Sequence, residues 1–259
     1  FNHDYKNYFI PEPADFVKAE EFRCDVADLD AYGVVLLNGF FPAINGKFME
    51  LPGGIRIGSL NEAARKFSDK VEKHYGKYSN GDSDGLVYLN TAMASDGVFV
   101  YVPKGAVLRR PVQVVNLVES ESDMFSQHRN LIIVEDEADF TMIICDHTLS
   151  PVKFLTNAVT EVYVGAYARF DLMRVQNEHN NACKITHTFI HQEKNSNVSS
   201  NNITLHGGLV RNSTHHYLGG EGAEANSYGL FLADKWQHID NYVNVEHAYP
   251  NCSSNQLFK

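Results

Sequence analysis

With 259 residues, 44% of them hydrophobic, the chain carries enough apolar content for a continuous core. Its formal charge of −10 argues against nucleic acid, which demands Lys and Arg gathered on one face, and no apolar run approaches the roughly eighteen residues of a membrane span. Cys24, Cys145, Cys183 and Cys252 lie far apart with no C-x-x-C, so a reducing cytosol is the expected compartment.

In chain order, "YFIPEPADFVKAEEFRCD" reads as an irregular entry because two prolines forbid a long helix. "AYGVVLLNGFFPAINGKF" reads as two short strands around an Asn-Gly turn. One helix is expected at 59–75. Ser59 caps it, Glu62 completes a capping box, and Gly76 ends it. Leu60, Ala63, Ala64, Phe67 and Val71 form its apolar stripe. "SNGDSDG" is a loop, and residues 1–85 are taken as an N-terminal segment.

From Leu86 onward eleven short apolar runs follow one another: "GVFVYVPKG", "RPVQVVNL", "NLIIVED", "FTMIICD", "TEVYVGA", "RFDLMRVQ", "KITHTFIH", "NNITLHGG", "THHYLGG", "SYGLFLAD" and "YVNVEH". Such close spacing predicts an all-β unit over 86–259. Laying "LIIVEDEADFTMII" over "EVYVGAYARFDLMR" at an offset of 30 aligns Val134 with Val164, Ala138 with Ala168 and Phe140 with Phe170. A small residue fixed at one point of a strand–turn–strand unit suits a stacked coil, and Asn recurs in the turns, where it tolerates left-handed backbone. A parallel β-helix is therefore expected. A cupin-like barrel would need clustered metal histidines that do not follow "GVFVYVPKG".

Several residue groups carry candidate chemistry. His247 and Cys252 offer imidazole and thiolate to a soft or borderline metal, but two ligands are too few for a structural site. The competing reading packs Cys252 in the core and gives His247 a hydrogen bond to a coil turn. "CDH" points Cys145 and His147 to one strand face, as metal ligands or as a buried thiol beside a terminal histidine. "HTFIHQE" places His187, His191 and Glu193 on one face, whereas His215 and His216 point to opposite faces. Arg109 and Arg110 suit pairing with a partner's carboxylates or flanking a turn. Asp136/Asp139 and Glu221/Glu224 are carboxylate pairs of the kind a glycosidase uses, but they sit in charged or glycine-rich turns without the burial that raises an acid's pKa. The sequence contains no G-x-G-x-x-G, P-loop or G-x-S-x-G.

"TAMASDGVFVYVPKGAVLRRPVQVVNL", the following "HRNLIIVEDEADFTMI" and the closing His247, Cys252, Ser254, Gln256 and Lys259 of "H-x4-C-x-S-x-Q-x2-K" resemble the SufB/SufD family of the SUF iron–sulfur cluster assembly system. "LDAYGVVLLNGFF" resembles that family's strand ending in N-G-[WF]. SufD is the better match, since SufB-type sequences carry Glu-Gly-Cys where this chain reads "IICDHT"; the sulfur-linked cysteine that those relatives carry near this place implies a sulfur-relay role for Cys145 and His147. The resemblance implies a right-handed parallel β-helix and a non-catalytic scaffold working with a SufB-like subunit and a SufC-like ABC ATPase. No cofactor is expected on this chain alone, with a cluster forming transiently at the level of the complex. Where the partners are missing, a homodimer is one assembly open to the chain. The family's Cys-x-His-Gly element and SufC-docking helices are expected beyond Lys259, so the chain reads as part of a longer protein. A β-helical enzyme acting on polysaccharide is the alternative.

Overall fold

The computed structural model describes residues 11, 29–41, 48–79 and 84–259, so the expected irregular entry and Cys24 lie outside the described residues. Its strands form two sheets of a β-solenoid of about six turns. The seven-stranded sheet runs β1 (Tyr32–Leu37), β5 (Val112–Val118), β7 (Asp139–Thr148), β9 (Arg169–Asn177), β11 (Asn197–His206), β13 (Glu224–Phe231) and β15 (Ser253–Phe258). The eight-stranded sheet runs β14 (His238–His247), β12 (Leu209–Leu218), β10 (Ala182–Gln192), β8 (Phe154–Val164), β6 (Met124–Val134), β4 (Val98–Val102), β3 (Ile55–Ser59) and β2 (Met49–Leu51). The chain alternates between the sheets from β4 onward. All pairings are parallel except β2–β3 and β3–β4, which extend the eight-stranded sheet at one end.

The offset of 30 found by sequence is the register of one coil. Val134 lies beside Val164 and Phe140 beside Phe170, with the two Phe rings stacked 6.2 Å apart. Alternation turns Met142, Ile144 and Leu172 of one sheet and Ile132, Val162 and Val164 of the other into the same interior cluster. Each fully buried side chain of this size contributes roughly 1.5–3 kcal/mol.

One corner repeats from coil to coil. Gly105, Glu137, Tyr167, Asn195, Gly222 and Asn251 each take a left-handed backbone, with φ between 53° and 74°. Each of the first five donates its N–H to a carbonyl of the next coil's corner: Gly105 to Asp136, Glu137 to Ala166, Tyr167 to Lys194, Asn195 to Glu221 and Gly222 to Pro250. The residue after each is small: Ala106, Ala138, Ala168, Ser196, Ala223 and Cys252. The first five are buried, because a larger side chain there would collide with the adjacent coil. The β12–β13 corner is one residue longer than the β10–β11 corner, and it closes because Gly220 has no side chain. A Cβ there would stand 2.1 Å from the Lys194 nitrogen.

Three short helices cover the outer face of the eight-stranded sheet. Ser59 caps α1 (Leu60–Lys66), accepting from the Glu62 N–H. The expected single helix is broken, however. Phe67 leaves helical geometry (φ −132°, ψ 41°) before α2 (Ser68–His74) begins. Its ring stacks on Phe99 and meets Phe48 edge-on, so tertiary packing overrides helical continuity. The break turns Val71 and His74 toward the sheet, while Ala64, expected in the stripe, is exposed.

A third helix, α3 (Gly85–Met93), occupies the start of the expected all-β unit. Asp84 caps it, and Asn90 anchors it by donating to the carbonyls of His128 and Asn157. The Asn38-Gly39 turn forms with both residues at positive φ, but its expected second strand is only a bridge at Phe40, and residues 42–47 are outside the described set. The other ten apolar runs and "GVFVYVPKG" appear as β4–β14. β15 was not anticipated.

The helical layer is tied down by one buried pair. Arg129 on β6 meets Glu161 on β8 at 2.9 Å, both side chains enclosed. Glu161 also accepts backbone N–H groups from Gly76, Tyr78 and Ser79, and Arg129 reaches Thr91 and Ser79. Residues 76–79, just past α2, are thereby fixed over the sheet.

Ala168→Leu is expected to cost about 1–3 kcal/mol by overpacking, lowering the thermal midpoint by several degrees. Tyr167→Gly, which relieves a left-handed non-glycine position, should leave it unchanged or raised by less than that loss. Calorimetry of both variants beside the parent checks the pair.

Candidate functional site

β7 carries Cys145, Asp146 and His147 in succession, and the middle residue proves to be the chemically distinctive one. Cys145 faces outward into an apolar cluster with Leu37, Val115 and Leu117, and the Gln113 amide donates to its sulfur at 3.4 Å. Alternation puts His147 on that same face and Asp146 inside the solenoid. There Asn116 donates to Asp146 at 2.7 Å, and Lys184 reaches across from β10 to the same oxygen at 2.9 Å. Arg174 on β9 stands 3.6 Å from the other oxygen, and Lys184 lies 3.5 Å from Glu178 just past β9. All four charged side chains are at most 3% exposed. Asp146 Oδ2, Arg174 Nη2 and both Glu178 carboxylate oxygens have no hydrogen-bond partner, a condition that enclosed polar groups ordinarily resolve with water.

The electrostatics follow from burial and from neighbours. Burial alone would raise Asp146, but Lys184 and Arg174, with hydrogen bonds from Asn116 and Lys184, hold it at about 2. Burial pushes Glu178 up to about 7, with Asp146 adding to the rise and Lys184 and Arg174 opposing it. His128, inside the same solenoid, is lowered to about 3 by burial and by the charge of Lys184. Burial works against the Lys184 ammonium, yet Asp146 and Glu178 raise its pKa overall. The site therefore keeps two cations against one permanent carboxylate, with a second carboxyl able to exchange a proton near neutral pH.

Beyond this cluster the interior stays polar. Gln176 accepts from Thr204 and Asn212, and His216 bonds Ser200, Ser227 and Gln192, its pKa lowered to about 4 by burial.

The structure disperses most of the other candidates. His247 is exposed and bonds the Ser254 hydroxyl at 3.0 Å. Cys252 takes the small-residue place of the last corner, packing against Leu218, Ala223 and Ala225 while its thiol donates to the Gly220 carbonyl. Among the described residues no group of three or more His, Cys, Asp and Glu could hold a metal ion. His187, His191 and His215 share the outer face of the eight-stranded sheet, with His191 3.2 Å from Glu193. Arg110 pairs within the chain with Asp30 at 2.7 Å and lies over Tyr32, and Arg109 is exposed.

Three of the four paired carboxylates link coils instead of flanking a cleft. Asp136 accepts from the Ala166 N–H, Glu221 from Asn251, and Glu224 from Asn197. Sequence reasoning missed Asp146, Arg174, Glu178 and Lys184. The available signal was a charge at inward positions of strands whose other inward residues are apolar: Asp146 after Phe140, Met142 and Ile144, and Lys184 after Ala182.

Residues 1–114 match the family described as "SufBD protein N-terminal region", and residues 116–259 match "SUF system FeS cluster assembly, SufBD core domain". The chain belongs to the SufBD family. It is 30% identical over 209 residues to the iron–sulfur cluster assembly protein SufB of Bacillus subtilis, covering 80% of this chain and 44% of that protein. It is 24% identical over 262 residues to an iron–sulfur cluster assembly SufBD family protein of Synechocystis, covering 95% of this chain and 58% of the relative. The chain thus spans about half the length of these relatives. All four enclosed charges fall within the segment matched by the SufBD core.

Linkage to Glu178 gives a testable sign. A carboxyl whose folded pKa is raised binds its proton more tightly in the native state, so its contribution to stability falls as pH rises from about 4.5 to about 7. Glu178→Gln removes that dependence. The variant's stability relative to the parent should rise by about 3 kcal/mol between pH 4.5 and pH 8, seen in denaturant midpoints at the two pH values. A difference that stays constant or shrinks toward pH 8 contradicts the assignment.

Proposed function

We propose that this chain is the solenoid portion of a non-catalytic scaffold subunit of the SUF machinery, of SufD type, acting in the cytoplasm with a SufB-like subunit and a SufC-like ATPase. One observation carries the reading. Two successive SufBD regions match nearly the whole chain in order, and the second coincides with the stacked coils. The physical role fits a scaffold: coils locked by corner hydrogen bonds form a stiff body that holds partner-facing surfaces at fixed spacing. The SufD-type assignment rests on "IICDHT", where the cysteine is enclosed at 0% exposure in an apolar cluster instead of being presented to a partner. The iron–sulfur cluster is the cargo of the assembled complex. No helix among the described residues is long and apolar enough to cross a membrane, in keeping with the cytoplasmic assignment.

A polysaccharide-acting enzyme is not favoured, since Asp136, Glu221 and Glu224 are engaged in bonds between coils. The test is affinity capture of the full-length protein containing this chain, co-expressed with SufB- and SufC-type subunits, followed by iron and sulfide assay after reconstitution. Co-elution of both subunits and cluster formation on the complex are expected. Capture of neither subunit, together with cleavage of a sugar polymer by the chain alone, would overturn the reading.

A further inference from the structure

Parallel stacking places equivalent side chains of successive coils one above another, and on the outer face of the eight-stranded sheet this builds a ladder of rings. Tyr163, His191 and Tyr217 occupy one register position on β8, β10 and β12. Tyr163 and His191 stack at 6.1 Å, and His191 and Tyr217 at 5.1 Å. Tyr78, held over the sheet by the Arg129–Glu161 pair, stacks on His191 at 5.1 Å. A neighbouring column sets Phe189 against His215 at 4.8 Å.

At β14 the column of Tyr163, His191 and Tyr217 loses its ring, while Tyr242 of that strand tilts against His215 in the neighbouring column at 5.5 Å. Glu246 is the register partner of Tyr217, and Asn244 that of His215. Tyr217 remains 37% exposed. A cavity of about 500 Å³ lies at this point, lined by Tyr217, Asn244, Glu246, Lys77 and Tyr78 among others. Among the described residues neither the Lys77 ammonium nor the Glu246 carboxylate has an ion-pair or hydrogen-bond partner, although both line that cavity.

The geometry points to a binding site for a purine mononucleotide, its base continuing the ring ladder on the face of Tyr217. A flat heterocycle satisfies the stacking geometry that the coil spacing has already set. The Glu246 carboxylate accepts only, so it selects a base edge that presents N–H donors, as guanine does. Lys77 supplies a point charge for the phosphate. The volume is within the range of small-ligand sites. This site is independent of the partner assignment above, because it uses only side chains of this chain.

The experiment is calorimetric titration of the full-length protein containing this chain with GMP, guanosine and ribose 5-phosphate. GMP is expected to bind at least tenfold more tightly than either ribose 5-phosphate, which lacks the base, or guanosine, which lacks the phosphate. Tyr217→Ala should weaken GMP at least tenfold. Lys77→Ala, at an exposed position that does not support the fold, should bring GMP down to the affinity of guanosine. Absence of GMP binding at millimolar concentration overturns the site, as does equal binding of ribose 5-phosphate. Affinity unchanged in both the Tyr217 and the Lys77 variants would likewise place the ligand elsewhere.

Discussion

The structure depends on a backbone hydrogen bond made at one corner of every coil. A left-handed residue there rotates its N–H out of its own turn and toward the carbonyl of the next coil, so each corner both closes its own coil and fixes the next. Glu137 and Tyr167 accept this conformation despite its steric cost of about 1–2 kcal/mol, whereas Asn195 and Asn251 are chemically suited to it and Gly105 and Gly222 pay nothing for it. The small residue that follows is the other half of the constraint. Ala138 and Ala168 are present because two corners cannot approach to hydrogen-bonding distance around a larger side chain. Cys252 stands in the same column, which explains its position without any metal.

Corners fixed in this way leave the interior free to vary. Successive register offsets fall from 32 between β4 and β6, through 30, to 26 between β10 and β12. The interior changes character over the same stretch. Phe140, Met142 and Phe170 give way to Thr186, Asn212, Ser200 and His216, which satisfy one another by hydrogen bonds. The enclosed Asp146, Lys184, Arg174 and Glu178 lie at the transition. A hydrophobic replacement of similar volume would often be at least as stable as such a cluster. Their presence therefore sets a chemical environment inside the solenoid, with a proton that moves near neutral pH, beyond anything the stacking requires.

The repeat was legible in sequence because stacking forces equivalence: the 30-residue offset exposed Val134/Val164 and Phe140/Phe170 without any coordinates. Ser59 was legible as a cap because capping is local. The break at Phe67 was not, since it is decided by Phe99, more than thirty residues away. α3 was hidden because it has no apolar stripe; Val87 and Asn90 are its buried residues, and an amide bonded to two strand carbonyls replaces the usual hydrophobic face. The charged cluster was hidden for a related reason. Lys184 and Asp146 meet from opposite sheets, and only the turn of the solenoid brings β7 and β10 face to face.

The outer face of the eight-stranded sheet shows how one device can serve two ends. Over the early coils its apolar side chains, Phe99, Leu131 and Ile133, are covered by α1 and α2, as a hydrophobic surface must be. Beyond α2, Arg129 and Glu161 draw residues 76–79 down to the sheet, using three backbone N–H groups that would otherwise need other partners. The same pinning brings Tyr78 onto His191 and Lys77 to the edge of the cavity beyond. The column carries rings on three successive strands, Tyr163, His191 and Tyr217, and passes from Tyr217 to the Glu246 carboxylate. An aromatic face left partly open beside two opposite charges that have no partner among the described residues is a surface shaped for something other than the next coil.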